Sequence, residues 1–477
     1  METLDTASPS RKEMPAKVFI KIWKGEMEVA GTEWEEVVQS YLSLLSYSKV
    51  IRFMNVEVKE TIWAHIKDSS IPQLNLSNCL VNTFKIDHSD INSIYFENHS
   101  EIGNIEIENS HVYRIIHRDS SLRHLTIKAK SRIGRIFLQH SKLLEVNVSE
   151  ASYVGYFQYI LDIQTPPHFV FKKSKIAHLD FNNTVLPEFM TLHVTDCKVN
   201  RLTLSGFCNY GTIFFSNLMP IGEWEDFKKD NNNDPGFIDG VFIFETLTLP
   251  SVLRLTASDL GKIQFINCDL RNFDRFEFSN TKMLDVFVAG SQMPDDNAFC
   301  LPNDEKNPLK IAEQKRLAYG QFKKIYENRG DVAGSLPYLA YEMEAYRKQL
   351  QLEGRWKNRG ELVMLWANKI STNYGVSWQR GLALIMVAMI FFYSIFCYLI
   401  GYQFENNSPD DMERFWKLVS YAPYYLNPLR DLDSVSLVKE EDFTPCARIW
   451  DFISRIVGAY LVYQTIQAFR KLGKSSG

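Results

Sequence analysis

Four histidines in the first third of the chain come nearest to residues placed for catalysis or metal binding. His88, His99, His117 and His140 each follow a short apolar run, so a regular repeat would stack them roughly above one another. Imidazoles in such a stack can transfer protons or bind zinc. Their spacing fits no metal motif, however, and a ladder of polar turn residues is ordinary in repeat proteins. We therefore interpret them as turn residues and expect no metal ion or other cofactor.

The rest of the sequence lacks the motifs of common enzyme classes. It contains no Gly-x-x-x-x-Gly-Lys loop, no Gly-x-Ser-x-Gly turn and no His-Glu-x-x-His motif. The seven cysteines are scattered and include no Cys-x-x-Cys pair, which argues against structural zinc and a disulfide framework. A formal net charge of -4 gives no electrostatic drive towards nucleic acid. The chain is predicted to be neither an enzyme nor a nucleic-acid-binding protein.

A second group of polar residues lies within an apolar segment near the C-terminus. Asp451 and Arg455 are four residues apart and are predicted to form an intrahelical ion pair. Tyr460, Gln464 and Gln467 gather on roughly the opposite face of the same helix. Polar groups inside a bilayer face protein or water, so this stripe predicts either helix packing in an oligomer or the wall of a pore.

The element that precedes this helix is the strongest membrane candidate. Gly381–Tyr402 contains 22 residues without a charge, and at about 1.5 Å per residue it spans the roughly 30 Å hydrocarbon layer. Trp378 and Arg380 stand before it and Tyr402 ends it, as interfacial anchors do. We predict a first transmembrane helix over residues 377–404.

The less hydrophobic segment Trp450–Phe469 predicts a second transmembrane helix over 449–470. Residues 405–448 then form an extracytoplasmic loop, in which Met412–Leu429 reads as a short interfacial or re-entrant helix. Basic residues flank the pair on one side and place both ends in the cytoplasm. They are Arg355, Lys357, Arg359, Lys369 and Arg380 before the first span, and Arg470, Lys471 and Lys474 after the second.

A repeat occupies the first half of the chain. Units such as LNLSNC, FKIDHS, IYFENHS and IEIENS recur every ten or eleven residues, each with apolar residues at i and i+2 and Ser or Cys three positions later. A single short strand cannot bury its apolar face alone, so the units must coil and stack. The repeat predicts a β-solenoid over 71–293, with insertions near 151–175 and 220–240.

Two further regions flank the repeat. Residues 1–70 read as an α/β cap, in which Lys17–Trp23 is strand-like and Trp34–Leu45 is predicted to be a helix. Residues 306–372 change to a helical period and predict a helical hairpin with a juxtamembrane segment.

The ten-residue step hides a five-residue one, because Ser89 and Ile91 repeat the roles of Phe84 and Ile86. In this respect the chain resembles the pentapeptide-repeat proteins, whose right-handed quadrilateral β-helix implies a mainly β fold. In those proteins a small residue lies two positions before each large apolar one, whereas this chain often has Ile, Leu or Phe there. Either a square β-helix or another right-handed β-helix is therefore possible.

The order of parts is similar to bacterial membrane proteins that join such repeats to a helical hairpin and two transmembrane helices, some of which look like ion channels. Potassium selectivity requires a Thr-x-Gly-Tyr-Gly type of filter, whereas this chain has YAPYYLNP between its spans. We do not expect potassium-channel function.

Two functional hypotheses follow. The first is a protein of the inner bacterial membrane, crossing it twice, whose cytoplasmic solenoid binds a protein partner or senses a signal. The second is a homo-oligomeric channel or pore-forming effector gated by the solenoid, in a stress or phage-defence response. The lipid bilayer is a partner in both.

Overall fold

A computed structural model describes residues 11–42, 49–66, 73–139, 142–160, 168–221, 250–283, 285–296, 299–301, 307–401, 409–427, 429–430 and 443–473. The chain divides into two compact units, Met1–Asp304 and Glu305–Gly477, which are described separately. The first is built mainly from strands and the second from helices.

The strands of the first unit, numbered in chain order, form two long sheets. One sheet contains, in spatial order, β1 (Lys12–Glu13), β4 (Val56–Ala64), β6 (Leu80–Asp87), β8 (Glu101–Glu108), β10 (Ser121–Lys128), β12 (Lys142–Val148), β14 (His168–Lys172), β17 (Thr191–Thr195), β20 (Thr212–Ser216), β22 (Lys262–Ile266) and β24 (Asp285–Ala289). The other contains β2 (Val38–Leu42), β3 (Lys49–Met54), β5 (Gln73–Ser77), β7 (Asp90–Glu97), β9 (His111–Arg118), β11 (Arg132–Gln139), β13 (Tyr153–Ile160), β15 (Lys175–Asp180), β18 (Lys198–Ser205), β21 (Val252–Thr256), β23 (Arg275–Ser279) and β25 (Phe299–Cys300). A small third sheet pairs β16 (Val185–Leu186) with β19 (Cys208–Asn209).

These sheets make a β-solenoid of about nine turns, which confirms the solenoid prediction. Each turn contributes one strand to each sheet, and Phe84 of β6 pairs in parallel with Ile105 of β8, 21 residues further along. Two ten-residue units therefore make one turn. Phe84, Ile86 and Ile105 are almost fully buried, as the alternation of apolar and polar residues requires. Handedness and a square cross-section remain predictions from the resemblance.

The serine that follows many of the units joins one turn to the previous one. The Ser100 hydroxyl donates a hydrogen bond to the Leu76 carbonyl at 3.0 Å and accepts one from the Cys79 backbone N–H at 3.2 Å. Its side chain is fully buried. Just before it, Asn98 and His99 have φ angles of 51° and 63°, in the left-handed region that asparagine tolerates best among residues with a side chain. The polar turn residues of the repeat thus have a backbone role.

The four histidines do not form one ladder. His88 and His99 lie at turns with positive φ, as predicted. His117 is instead inside β9, fully buried, with its ring centroid 5.7 Å from that of Phe96. Its interpretation as a turn residue is wrong, because it takes the inward position that Phe96 occupies one turn earlier. Burial lowers the pKa of His117 to about 3, so the ring is neutral. His140 lies outside the described residues.

The cap differs from its prediction. Residues 16–23 form a helix, α1 (Ala16–Trp23), which buries Phe19, Ile22 and Trp23 on one face. The strand β2 lies within the predicted helix Trp34–Leu45 and pairs antiparallel with β3. Since β3 and β4 already pair in parallel with β5 and β6, solenoid pairing begins near residue 49, within the region assigned to the cap.

The two predicted insertions fall partly outside the described residues. Of 151–175, residues 161–167 are not described, whereas β13 and β14 continue the parallel ladders on either side. Of 220–240, residues 222–240 belong to the undescribed stretch 222–249. The ladder continues across it, because β21, the first strand after that stretch, pairs directly with β18.

The second unit is helical. Its helices are α2 (Pro308–Asn328), α3 (Val332–Gly354), α4 (Arg359–Thr372), α5 (Trp378–Leu399), α6 (Pro409–Tyr421) and α7 (Pro445–Gly473), with a 3-10 turn at Ala422–Leu426. The helices α2 and α3 are antiparallel, because Arg316 bonds Gln349 near one end and Tyr326 stacks on Tyr338 near the other. Within the described part of the chain, α5 is the one helix long and apolar enough to cross a membrane.

Candidate functional site

The helices α5 and α7 pack against each other along most of their length. At one end, Trp378 packs edge-on against Phe469, with ring centroids 6.0 Å apart. Near the other, the indole N–H of Trp450 donates to the Phe392 carbonyl at 3.0 Å. Between them, Gly381 has no side chain, and any Cβ there would overlap the Thr465 hydroxyl. The pair is antiparallel and in close contact.

Five polar residues from α7 and from the segment before it meet beside this helix pair, and we call them the arginine–aspartate cluster. They are Tyr425, Arg430, Asp451, Ser454 and Arg455. Asp451 and Arg455 lie as the sequence predicted, with Nε of Arg455 2.6 Å from a carboxylate oxygen of Asp451. Arg430 pairs with the other carboxylate oxygen, and the Arg430 and Asp451 side chains are only 2% and 5% exposed. One carboxylate is therefore shared between two guanidinium groups.

Arg430 also fastens the segment before α7 to the helix. Its guanidinium donates to the Tyr425 carbonyl at 2.7 Å and to the Ser454 hydroxyl at 2.7 Å. It lies 3.7 Å from the centre of the Tyr425 ring, at cation–π distance. A buried charge with this many partners is expensive to uncouple, and removing one member of such a pair typically costs about 3–5 kcal/mol. The cluster therefore holds the segment before α7 against α7 through buried charged groups.

A small cavity lies beside the cluster, between α5 and α7. Its volume of about 20 Å³ is enough for one water molecule or a single small ion. Arg430, Ser454 and Arg455 form the polar part of its wall. The apolar part is formed by Ile385, Ala388, Met389, Phe392 and Leu461, together with Tyr425 and Gly458. It does not have the size of a site for an organic ligand.

The predicted polar stripe is divided between two environments. The Tyr460 hydroxyl donates to the side-chain oxygen of Asn368 in α4 at 2.7 Å, which is a packing contact within the unit. The Gln467 amide donates to the Tyr463 hydroxyl at 2.8 Å, along its own helix. Gln464 is half-buried. For Tyr460, this contact corresponds to the predicted role in helix packing, although the packing is within one chain.

The predicted interface anchors are at the start of α5. Trp378 is half-buried against Phe469, and Arg380 is exposed. Ser377 caps the helix by accepting a hydrogen bond from the Arg380 backbone N–H at 3.4 Å. Tyr402 lies outside the described residues.

A second polar centre, not predicted from the sequence, joins α3 to the start of the apolar region. The Glu344 carboxylate accepts hydrogen bonds from Arg347 at 2.6 Å, from Lys369 of α4 at 3.0 Å and from the Tyr374 hydroxyl at 3.0 Å. Partial burial opposes ionisation, but these three donors lower the pKa of Glu344 to about 2. The spacing of Glu344 and Arg347 is visible in the sequence, whereas the other two partners depend on how α4 folds back.

The sequence analysis also missed Arg430 and Tyr425. The aspartate at the start of the second apolar segment, Asp451, predicts a basic partner, but the sequence does not select Arg430 from the other basic residues between the two segments. Within the ranges that the structure describes, no group of three or more His, Cys, Asp or Glu is placed to hold a metal ion. The absence of a cofactor remains a prediction.

Comparison with models of known protein families, with curated proteins and with solved structures finds no match to this chain.

Proposed function

We propose that this protein is anchored in the inner bacterial membrane by a hairpin of α5 and α7, and that its cytoplasmic solenoid is a binding or sensing module. The observation that supports this most directly is the reversed polarity of α7, which buries Asp451 and Ser454 at 3% and 6% exposure. Its outward face is apolar and 56–64% exposed at Ile449, Phe452 and Ile456. A helix of a water-soluble protein has the opposite arrangement.

The helix α5 supports the same proposal. Only 17% of its most apolar 18-residue window is buried, whereas the core helix of a soluble protein would be mostly buried. Average hydropathy selects α5 and not α7, which carries Asp451, Arg455, Gln464 and Gln467. Of these residues, Asp451 and Arg455 point towards protein partners. Polar groups in a membrane helix are expected on such an inward face.

The basic residues give the orientation. Arg380 at the start of α5 lies at one end of the helix pair, where Arg470 and Lys471 of α7 also lie. By the positive-inside rule this end faces the cytoplasm. The opposite end, with the N-terminus of α7, then lies outside.

Membrane attachment is testable with the chain shortened after Ser377. The full chain is expected to stay with the membrane pellet through an alkaline carbonate wash, whereas the shortened chain is released, because it lacks both apolar surfaces. Recovery of the full chain in the supernatant would refute the anchor.

The arginine–aspartate cluster and its cavity favour a second candidate, a homo-oligomeric channel or pore-forming effector. Charged groups within an apolar helix pair commonly mark ion pathways. The double substitution Gln464→Leu and Gln467→Leu separates the two candidates. If these amides line a pore, the variant should show a changed conductance in planar bilayers. If α7 is only an anchor, the substitution should have little effect. A purified chain that never conducts would remove this candidate.

A further inference from the structure

The helix α4 presents a stripe of apolar side chains to the outside of the helical unit. Val363, Trp366 and Ile370 are 66%, 57% and 44% exposed, and Met364 beside them is 57% exposed. Steps of three and four residues place the first three on one side of the helix. A surface helix of a water-soluble protein turns such a stripe towards its core. We call Val363, Trp366 and Ile370 the α4 stripe.

The opposite side of α4 is packed against α3, so the stripe cannot turn inwards. Leu365 is only 4% exposed, in an apolar cluster shared with α3. The Tyr346 hydroxyl of α3 donates to the Glu361 carboxylate at 2.7 Å, and the Lys369 ammonium donates to the Glu344 carboxylate at 3.0 Å. The exposure of the stripe is therefore a fixed feature of this unit.

The C-terminal end of α4 lies against the helix pair of α5 and α7. The side-chain oxygen of Asn368 accepts the 2.7 Å hydrogen bond from Tyr460 of α7. An added Cβ at Gly381 of α5 would lie 3.2 Å from the Thr372 methyl group. Both contacts are in the half of the pair that contains the start of α5, which the proposed function places on the cytoplasmic side. The end of α4 is therefore next to the proposed membrane segment.

The turn that leads into α4 adds a second tryptophan and three cations. Trp356 is 85% exposed, and Arg355, Lys357 and Arg359 around it are exposed as well. Among the described residues, none of these three cations has a side-chain hydrogen bond or an ion pair. Exposed tryptophan interleaved with free basic groups is typical of segments that lie at a membrane surface.

We propose that the α4 stripe and this basic turn lie on the cytoplasmic leaflet and bind anionic phospholipid. Indole rings are stable at headgroup depth because they combine an apolar body with a polar N–H. Guanidinium and ammonium groups beside them complement the phosphates of the lipid headgroups. The bilayer is favoured over a protein partner, because α4 packs on the helix pair that the proposed function places in it.

This inference rests on the proposed function, and the two can fail separately. The alkaline carbonate wash releases proteins held only at the membrane surface, so it tests the hairpin of α5 and α7 and not α4. Contact between α4 and lipid is measured by quenching of tryptophan emission in the full chain. A chain that resists the wash while Trp366 escapes quenching would overturn the inference and leave the anchor. Release of the chain in the wash while Trp366 is quenched would do the reverse.

The experiment reconstitutes the full chain in phosphatidylcholine vesicles that contain a minor fraction of brominated lipid, either phosphatidylglycerol or phosphatidylcholine. The emission of Trp366 is the difference between the parent chain and Trp366→Phe. We expect brominated phosphatidylglycerol to quench this emission at least about twofold more than the same fraction of brominated phosphatidylcholine. Trp63→Phe is the matched control, because Trp63 belongs to the solenoid unit and is 53% exposed, and its emission should be quenched by neither lipid.

A charge variant tests the basic turn. The triple substitution Arg355→Gln, Lys357→Gln and Arg359→Gln should reduce the anionic preference to about equal quenching by the two lipids. It should leave the unfolding temperature unchanged, because all three side chains are exposed. The control variant should keep the preference of the parent chain. It removes the same number of exposed cations from the solenoid unit by Arg118→Gln, Arg123→Gln and Lys173→Gln.

The inference is overturned if Trp366 is quenched no more than Trp63, if the parent chain shows no preference for the anionic lipid, or if the triple variant of the basic turn keeps that preference. It is also overturned if Trp366 is shielded from both brominated lipid and aqueous iodide, because another protein surface would then cover the stripe.

Discussion

Arg430 and Asp451 form a solvent-shielded ion pair that joins the segment before α7 to α7 itself. The same carboxylate holds Arg455 one helical turn further along. The apolar face of α7 lies on the opposite side of the helix from this cluster. The pair therefore explains how a helix with an aspartate and an arginine in its first half can present an apolar surface.

Substitution Asp451→Asn is expected to destabilise the C-terminal unit by about 3–5 kcal/mol, because it leaves Arg430 buried without a counter-charge. Denaturant unfolding in detergent micelles measures the change. The double variant Arg430→Met and Asp451→Leu should be more stable than Asp451→Asn, since it removes both charges. Glu413→Gln, at an exposed residue of α6, is the control and should leave stability unchanged. Equal stability of Asp451→Asn and the parent chain would show that the pair does not stabilise the C-terminal unit.

Substitution Gly381→Ala is expected to destabilise the α5–α7 pair by about 1–3 kcal/mol, the usual cost of overpacking a close contact. The added methyl group would overlap the Thr465 hydroxyl. Gly458→Ala in α7 is the matched control, because a Cβ at Gly458 meets no atom of the described residues within 4 Å. Thermal unfolding of both variants in the same detergent distinguishes them, and the prediction fails if the two variants unfold at the same temperature.

The solenoid could be predicted from the sequence because its signal is repeated. Each unit places apolar residues such as Phe84 and Ile86 on one face, and a buried Ser, Cys or Thr after many units bonds to a nearby backbone carbonyl. An error in assigning one unit therefore does not change the predicted fold. His117 shows the limit, because a single inward polar residue breaks the pattern at one place without disturbing the coil.

Elements that occur once could be predicted less well. Residues 17–23 are rich in β-branched and aromatic residues, which fits a strand, but α1 instead buries Phe19, Ile22 and Trp23 on a helical face. The aromatic packing of Phe19 on Phe53, with centroids 4.1 Å apart, depends on a strand thirty residues away. At the candidate site, Asp451 and Arg455 were predictable because they are local, whereas Arg430 reaches them only through the fold of the loop.

Acid is expected to weaken the helical unit through Glu344. The folded state lowers the pKa of Glu344 from 4.5 to about 2, so its contribution to stability is complete above about pH 4.5 and is lost as the pH falls towards 2. Glu344→Gln should therefore lower the unfolding temperature at pH 7 and flatten its decline between pH 5 and pH 3. The exposed Glu313, in the neighbouring helix α2, supplies the control Glu313→Gln, which should retain the decline of the parent chain. An identical acid profile for Glu344→Gln and the parent would contradict the assignment.

The central claim, that α5 and α7 cross the membrane as a hairpin with the solenoid inside, is tested most directly by the accessibility of a native thiol. Cys446 is exposed at the start of α7, whereas Cys208 and Cys300 belong to the solenoid unit and are partly accessible. A membrane-impermeant maleimide added to spheroplasts should label Cys446 and spare the two solenoid thiols until the membrane is broken, and Cys446→Ser should abolish the outside labelling. Labelling of Cys446 only after the membrane is broken, or of the solenoid thiols before it, would contradict the account.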